Sequence, residues 1–330
     1  MNLKYRINLF KKSLVEKYPY LNKFLKINYG LLEDEKDDRD YVMGASNDKI
    51  NWKVIKEDGN WLPEAKKMIN ETQRSGRLET MNCTRFALNN VKEMIHLAKW
   101  NEAVNYSDRF PGKLQGTTQN GNSMKTQLEC DRKYGCVKEK VWCWDKEKFN
   151  WNEYYKLPSQ DILAKGEVWT KEYKFGYDGV WANKSMIKEA LKYSPLYVGG
   201  YAWYRKGELY YSMGNPNHCF TVIAYDKAIA YDSYAPYIKK LADDFKLYYI
   251  KRIYLEKRDN EYNLQELTNL KNRGLDYIMR VQGAGEIYKI DGDTLKYISP
   301  KEWNDINVIL TEQQRKLVGI SEEFYSKLIE

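Results

Sequence analysis

Two histidines, five cysteines and a late aspartate carry most of the candidate chemistry in this 330-residue chain. His96 lies in the strongly helical stretch Val91 to Ala98 and reads as a histidine at the edge of a core. His218 lies in Gly214-Asn-Pro-Asn-His-Cys-Phe-Thr-Val-Ile, where a turn opens onto a strand. A histidine leading a strand is fixed by the sheet yet can face a cleft, so His218 is the better candidate base. Asp232 ends the next strand, Ala228 to Ser233, and the two strands meet at the turn Asp226-Lys227. Antiparallel pairing about that turn brings His218 and Asp232 together at neighbouring strand ends. An imidazole used as a base needs such a partner to fix its tautomer and stabilise the imidazolium. The plainer reading of Asp232 is an acid that starts a turn; the pairing favours the functional one.

The nucleophile must come from another part of the chain. Cys83 follows Asn82, a good N-cap residue, where Thr84 to Ile95 turns helical. In the first helical turn a thiol meets unpaired N–H groups and the positive end of the dipole. Both favour the thiolate, so a depressed thiol pKa is expected at Cys83. Cys130, Cys136, Cys143 and Cys219 open no helix so clearly and read as small buried hydrophobes. Five is an odd number and no pair is spaced as CxxC, which argues against a zinc site or a complete disulfide framework and fits a reducing compartment. A single Cys130–Cys136 or Cys136–Cys143 bridge is the remaining alternative.

The elements that must hold these residues differ in texture along the chain. Residues 1–36 form a basic helical lead: Met1 to Gly30 carries seven basic residues and one acid. Its apolar positions Leu3, Ile7, Phe10, Leu14, Tyr18, Leu21 and Leu25 recur as on one helical face. A helix docked on its own domain and a basic amphipathic helix touching a membrane surface both fit that pattern, and the first is the simpler. It has neither an uninterrupted apolar run nor a small-residue cleavage site, so no signal peptide is read. Residues 37–255 form the bulk, helical and loop-rich to about 165. A helix, Lys184 to Tyr193, then precedes segments rich in Tyr, Val and Ile: Leu196 to Tyr204, Leu209 to Met213, Cys219 to Tyr225, Ala228 to Ser233 and Leu247 to Tyr254. These read as an antiparallel sheet, and helices followed by strands predict an α+β fold. Residues 256–330 read as an appendage, with helices at Leu264 to Leu270 and Thr311 to Leu328 and a hairpin at Gly285 to Ile298 around Asp291-Gly292-Asp293.

Composition removes several classes of function. Hydrophobic residues make up 43% and charged residues 30%, which suits a packed fold and excludes a fibrous or disordered chain. The net charge of +8 comes from 54 basic and 46 acidic residues that interleave, with no arginine-rich run, so no nucleic-acid partner is expected. No stretch of about 20 apolar residues is present to span a membrane.

The order of the candidate residues is itself informative. Cys83 lies 135 residues before His218, and Asp232 follows 14 residues later. A cysteine opening a helix, then a histidine and an Asn or Asp that far downstream, resembles the papain-like cysteine peptidases. Other pieces agree. Asp38 to Tyr41 resembles the entry of the papain domain, and Asn105 to Phe110 the segment after its central helix. Gly116 to Ser123, with the helix ending at Lys133 to Val137, resembles the glycine-rich substrate loop; Ala230 to Tyr237 resembles the Asn-Ser-Trp-Gly strand. The resemblance spans about residues 37–255 and is strongest to divergent papain-like proteins of phages and microbial genomes. It implies two lobes, a helical one at about 60–165 and a sheet lobe at about 166–255, with the active site in the cleft between them.

The resemblance also assigns roles. Cys83, His218 and Asp232 form the implied triad, Asp232 standing where the family has asparagine, and the Cys-Gly-Ser-Cys-Trp box is reduced to Met-Asn-Cys-Thr-Arg. Arg77 stands six residues before Cys83, where the family has its oxyanion-hole glutamine; Gln73 serves instead if the loop through Ser75-Gly76 bulges. Asn120, Gly121 and Asn122 would pair with the substrate backbone, and Tyr201 and Trp203 would line a side-chain pocket. No metal or organic cofactor is implied, the partner is a polypeptide substrate, and a cytoplasmic or virion-associated location is expected. Residues 1–36 could also act as a short propeptide, although a permanent structural role is the simpler reading. Two rival functions remain beside cysteine-dependent peptide-bond hydrolysis: an inactive papain-like scaffold, for example in a virus particle with residues 256–330 binding an assembly partner, and a peptidoglycan peptide hydrolase.

Overall fold

The computed structural model describes residues 3–18, 21, 25, 27–35, 42–43, 52–75, 78–110, 112–144, 150–212 and 214–258, with strands at 277–280, 286–291 and 294–298. The expected helices at 264–270 and 311–328, the segment 38–41 and Arg77 lie outside the described residues. Helices are α1 (Leu3–Lys17), α2 (Leu62–Ala65), α3 (Cys83–Trp100), α4 (Met124–Tyr134), α5 (Trp151–Tyr154), α6 (Gln160–Glu172) and α7 (Lys184–Leu191). Four short strands lie among the helices: β1 (Leu31–Leu32), β2 (Arg74–Ser75), β3 (Leu78–Glu79) and β4 (Asn122–Ser123). The main sheet is built from β5 (Tyr173–Gly179), β6 (Leu196–Gly200), β7 (Tyr204–Lys206), β8 (Leu209–Tyr211), β9 (His218–Ala224), β10 (Ile229–Tyr231), β11 (Ile238–Leu241) and β12 (Leu247–Lys257). Their order is β5-β12-β6-β9-β10-β11-β8-β7, antiparallel throughout except for the parallel pair β11–β8. The fold is α+β: a helical part is followed by one mainly antiparallel sheet.

The order of elements follows the sequence expectation, with three differences. Leu196 to Tyr204 divides into two strands, because the chain turns away after Gly200 and re-enters at the far edge as β7. Two strands were not expected, β5 and β11; β5 reads polar (Tyr173 to Gly179) because it is an edge strand with most of its side chains only partly covered. The sheet therefore has eight strands rather than the five segments that stood out as apolar.

The helix α3 sits at the centre. Every residue from Cys83 to His96 is buried, so α3 is covered on all sides, as a central helix must be. Its apolar side chains join those of β6, β9, β10 and β12 in one core. Its polar side chains are answered within the helical part. Arg85 is ion-paired with Asp131 of α4, and Lys92 Nζ lies 2.6 Å from the other oxygen of the same carboxylate. Two cations on one buried acid tie α3 to α4, and a buried ion group this well paired resists rearrangement.

The N-terminal helix departs from expectation in which face it docks. Tyr5 and Lys12 are buried, whereas Leu3 and Phe10 are 72% and 65% exposed and Ile7 is also exposed. The reason is polar: the Tyr5 hydroxyl donates to Glu79 O at 2.6 Å and accepts the Glu79 N–H at 3.0 Å, and Lys12 is ion-paired with the Glu79 side chain. Among the described residues no helix is long and apolar enough to cross a membrane.

The chain divides into two compact units, Met1–Lys257 and Arg258–Glu330. In the second, β13 (Tyr277–Arg280), β14 (Glu286–Asp291) and β15 (Thr294–Ile298) form an antiparallel sheet in that order. Asp291 lies opposite Thr294, so β14 and β15 make the hairpin expected at 285–298, with β13 as an unforeseen third strand.

Candidate active site

His218 and Asp232 meet through the register of β9 and β10. Tyr231 pairs with Thr221, so the next residue, Asp232, falls beside Phe220, two positions from His218 and on the same face. Such diagonal neighbours are within reach of each other. The His218 Nε2–H donates to Asp232 Oδ1 at 2.6 Å. The same oxygen accepts the Ser233 N–H at 2.8 Å, while Oδ2 accepts from Trp203 Nε1 at 3.1 Å and from Lys239 Nζ at 2.9 Å. Burial alone would push the Asp232 carboxyl up; Lys239 and then His218 reverse that and hold it well below the usual carboxylate range. With Nε2 engaged, Nδ1 is the nitrogen left to exchange a proton, and it is buried without a hydrogen-bond partner. The Trp203 ring lies edge-on to His218 at 5.8 Å and packs on Phe220, covering the pair.

Cys83 opens α3, and the first turns of that helix are fastened to the sheet beside His218. The Tyr197 hydroxyl of β6 donates to Thr84 O at 2.8 Å, and Thr221 Oγ1 of β9 donates to Ala87 O at 3.1 Å. The Cys83 sulfur is met by the backbone N–H of Cys219, the residue after His218, and by that of Thr84. Asn82 holds the N-cap position but its side chain makes no cap bond; it donates to Asp108 O at 2.8 Å instead.

The expected depression of the Cys83 thiol is not what the structure gives. Burial pushes it up to about 12, outweighing the Cys219 N–H and the Lys12 charge that pull the other way. Cys83, His218 and Asp232 are all 0% exposed. The helix-terminus argument is sound for a thiol open to water; here water is excluded, and the cost of desolvating a thiolate wins. All five cysteines are free thiols, so neither the Cys130–Cys136 nor the Cys136–Cys143 bridge forms, and Cys143 is exposed rather than buried.

What excludes the water is the chain's own N-terminal segment. The Tyr29 N–H donates to Asn217 O at 3.0 Å, immediately before His218, and the Asn217 side chain donates back to Ile27 O at 2.7 Å. On the opposite wall the Asn122 N–H donates to Gly30 O at 2.9 Å, and Asn28 Nδ2 donates to Asn120 O at 2.7 Å. Leu31 and Leu32 continue as β1, parallel to β4. Two glycines make the passage possible. Gly30, at φ +111°, would place a Cβ 2.4 Å from Met81 O, and Gly121, at φ +102°, would place one 1.9 Å from Gly30 O. The Tyr29 ring packs against His218 and Tyr234, with Lys12 Nζ 4.3 Å above it.

The remaining expected residues fall around this segment. Gln73 is fully buried; its Nε2 donates to Tyr29 O at 3.3 Å and Tyr234 OH at 2.6 Å, while Oε1 accepts from Ser233 Oγ at 3.0 Å. It leads into the β2–β3 hairpin, in which Arg74 pairs with Glu79 and Ser75 with Leu78. Backbone groups of Asn120 and Asn122 bond the segment and Gly121 lies against it, while the Asn122 side chain braces its own loop through Gln115 O and Thr117 Oγ1. Tyr201 is nearly buried beside Gly214 and close enough to act electrostatically on Tyr29. His96, in contrast, donates no chemistry here: it lies in the core against Trp100, Tyr106 and Tyr173, its Nε2 bonded to the Tyr106 hydroxyl at 2.7 Å.

Comparison with known proteins supports the architecture. No family model matches the chain, and no curated protein matches it in sequence. Among solved structures it is similar to xylellain, a cysteine protease from Xylella fastidiosa, at 15% identity over 69% of this chain and 98% of that one, with a TM-score of 0.50. It is also similar to Amb a 11, a cysteine protease and major ragweed pollen allergen, in its proform, at 15% identity over 65% and 69% of the two chains and a TM-score of 0.40. The fold is that of the papain-like cysteine proteases.

Within this papain-like fold, five residues at the site were not singled out by sequence: Lys12, Tyr29, Glu79, Tyr234 and Lys239. Tyr234 bonds Gln73 and the Glu79 side chain, linking the segment's anchor to the cleft wall. Lys239 alone carried a readable signal. In β11 the alternation puts Lys239 on the buried face with Leu241, a lysine where an apolar residue belongs. The other four depend on contacts between distant parts of the chain, Lys12 with Glu79, Tyr29 with His218 and Tyr234 with Gln73, which no local pattern encodes.

Proposed function

We propose that this chain is a cysteine peptidase that hydrolyses peptide bonds through Cys83, His218 and Asp232, and that residues 27–32 hold it in a latent form. The observation that carries the reading is the His218–Asp232 hydrogen bond of 2.6 Å, which leaves Nδ1 unpartnered, while the N–H of the next residue, Cys219, meets the Cys83 sulfur. When the segment leaves, water and substrate reach the thiol, the desolvation cost falls, and the helix terminus again favours the thiolate.

The steps follow from the groups present. The Cys83 thiolate attacks a peptide carbonyl carbon, and the oxyanion is held by the Cys83 N–H and Gln73 Nε2. The C–N bond breaks as the imidazolium Nδ1–H gives its proton to the leaving amine, leaving a thioester. His218 then takes a proton from water, hydroxide adds to the thioester, and the acid product departs as the thiol is restored. The substrate class is a polypeptide, since the cleft already holds one: backbone groups of Asn120, Asn122 and Asn217 bond residues 27–30 as they would an extended peptide.

The closed cleft and the raised thiol favour one second reading, a papain-like scaffold without activity. Labelling of a Gly30→Ala variant, whose added Cβ meets Met81 O and displaces the segment, with an electrophilic papain-type inhibitor separates the two. Stoichiometric modification of Cys83 that falls sharply in His218→Ala is expected; equal modification of all five cysteines, or none, would hand the chain to the scaffold reading.

A further inference from the structure

Asp232 poses an electrostatic problem. A carboxylate 2.6 Å from an imidazole, both cut off from water, stabilises the imidazolium strongly. An imidazolium held too firmly is a poor acid for the leaving amine, and its ring a poor base afterwards. An amide at position 232 would orient the ring equally well without that charge.

The structure supplies a counter-charge. Lys239 is 2% exposed, and Nζ lies 2.9 Å from Asp232 Oδ2, the oxygen turned away from His218. Its other donors are taken by Tyr234 O and Pro236 O, each at 2.6 Å, so the ammonium is fixed between β11 and the turn after β10. The rings of Trp203 and Tyr210 lie 5.5 and 5.6 Å from it. Burying a lone cation is costly, so a lysine here persists only with its carboxylate.

The neighbours leave Lys239 as the group that sets the balance. Around the His218–Asp232 pair stand Cys83 from α3, Tyr29 from the N-terminal segment, Tyr234 from the turn after β10 and Tyr210 from β8. Burial pushes all three phenols and the thiol up, so each is neutral near pH 7. Lys12 is matched by Glu79.

We propose that Lys239 is a positioning residue that neutralises Asp232, so that the Asp232–Lys239 pair presents itself to His218 much as an uncharged amide would. This rests on the reading of Cys83 and His218 as a working pair. It assigns Lys239 a role in the reaction that its distance from substrate would not suggest, and it explains how this cleft accommodates an acid at position 232.

The test is the pH profile of Cys83 modification by iodoacetamide, measured on full-length wild type, Lys239→Met, Lys239→Arg, His218→Ala and the double variant Asp232→Asn with Lys239→Met. Each is measured in a Gly30→Ala background, which displaces the N-terminal segment through its clash with Met81 O, so opening of the segment does not enter the comparison. Loss of the lysine charge is expected to move the alkaline limb up by about one pH unit, the size of a close charge's effect. Lys239→Arg keeps the charge and should keep the profile. The double variant leaves no unpaired buried charge, so it should fold even if Lys239→Met does not, and its alkaline limb should return to the wild-type position whatever the height of the profile. A Lys239→Met profile that only falls in height, or a double variant with a displaced limb, overturns the inference while the thiol–imidazole reading stands. Modification indifferent to His218→Ala overturns that reading, and this inference with it.

Discussion

Lys12 of the N-terminal helix forms an ion pair with Glu79, four residues before Cys83, and the two side chains are only 6% and 2% exposed. The pair fastens α1 to β3 and sets the Lys12 ammonium above the Tyr29 ring that rests on His218. Desolvation by burial pushes the Lys12 ammonium well down, against the pull of the neighbouring Cys83 sulfur.

Breaking that pair should unlock the site. Lys12→Ala leaves Glu79 buried and unpaired, a change that costs roughly 3–5 kcal/mol if the segment stays docked. Undocking avoids the cost by exposing Glu79 to water. The expected outcome is a lower Tm together with at least a tenfold faster modification of Cys83 by iodoacetamide. A lower Tm with an unchanged rate would mean that α1 stabilises the fold without gating the thiol.

The two glycines of the crossing separate the segment from the cleft wall. Gly30→Ala drives a Cβ into Met81 O from the segment side, so the segment should leave and the cleft should remain intact. Gly121→Ala makes a closer clash from the wall, with Gly30 O, and its Cβ stays behind to meet any peptide that follows. Peptide hydrolysis should therefore rise in Gly30→Ala and fall in Gly121→Ala, while modification by iodoacetamide rises in both. The same direction of hydrolysis in both variants would show that residues 27–32 do not lie on the substrate's path.

Alkaline pH should weaken the folded chain through the same thiol. The Cys83 thiol stands at about 12 in the folded chain against 9.0 for an unperturbed thiol. An acid whose folded value is raised adds stability that is full below the unfolded value and is lost as pH rises, because the unfolded chain releases its proton first. The loss thus begins near pH 9 and is complete near 12. Cys130 and Cys136, pushed up to about 12 and about 11, act in the same sense, so the informative quantity is a difference. Between pH 8 and 10.5, Tm should fall more steeply in wild type than in Cys83→Ala; parallel curves would place the thiol in water.

How much of this was legible in sequence depends on the distance between the residues involved. The His218–Asp232 pair could be read because one turn at Asp226-Lys227 fixes both, and Cys83 because a helix terminus is a local feature. The latch could not. Glu79 and Lys12 are separated by a stretch with no pattern linking them, and the apolar stripe of α1 pointed to Leu3, Ile7 and Phe10 as the docking face. The structure docks the helix through Tyr5 and Lys12 instead, because specific polar partners at Glu79 outweigh three apolar contacts. The thiol's raised value has the same origin: the helix terminus is written in residues 82–86, the plug that excludes water in residues 27–32.

Gln73 offers a test that separates nucleophile from oxyanion. Its Nε2 is held by Tyr234 OH and lies 3.3 Å from Tyr29 O, the carbonyl of a peptide bond in the docked segment. Alkylation by iodoacetamide displaces iodide at a saturated carbon and develops no oxyanion, whereas peptide hydrolysis does. In a Gly30→Ala background, Gln73→Ala should leave the alkylation rate within about threefold and lower kcat for peptide hydrolysis roughly 100–1000-fold, the usual effect of removing one such donor. Restoring a donor with Gln73→Asn should recover little, since the shorter side chain cannot reach both Tyr234 and the carbonyl. If kcat and alkylation fall together, Gln73 supports the shape of the cleft through Ser233 and Tyr234, and the oxyanion is held by the Cys83 N–H without it.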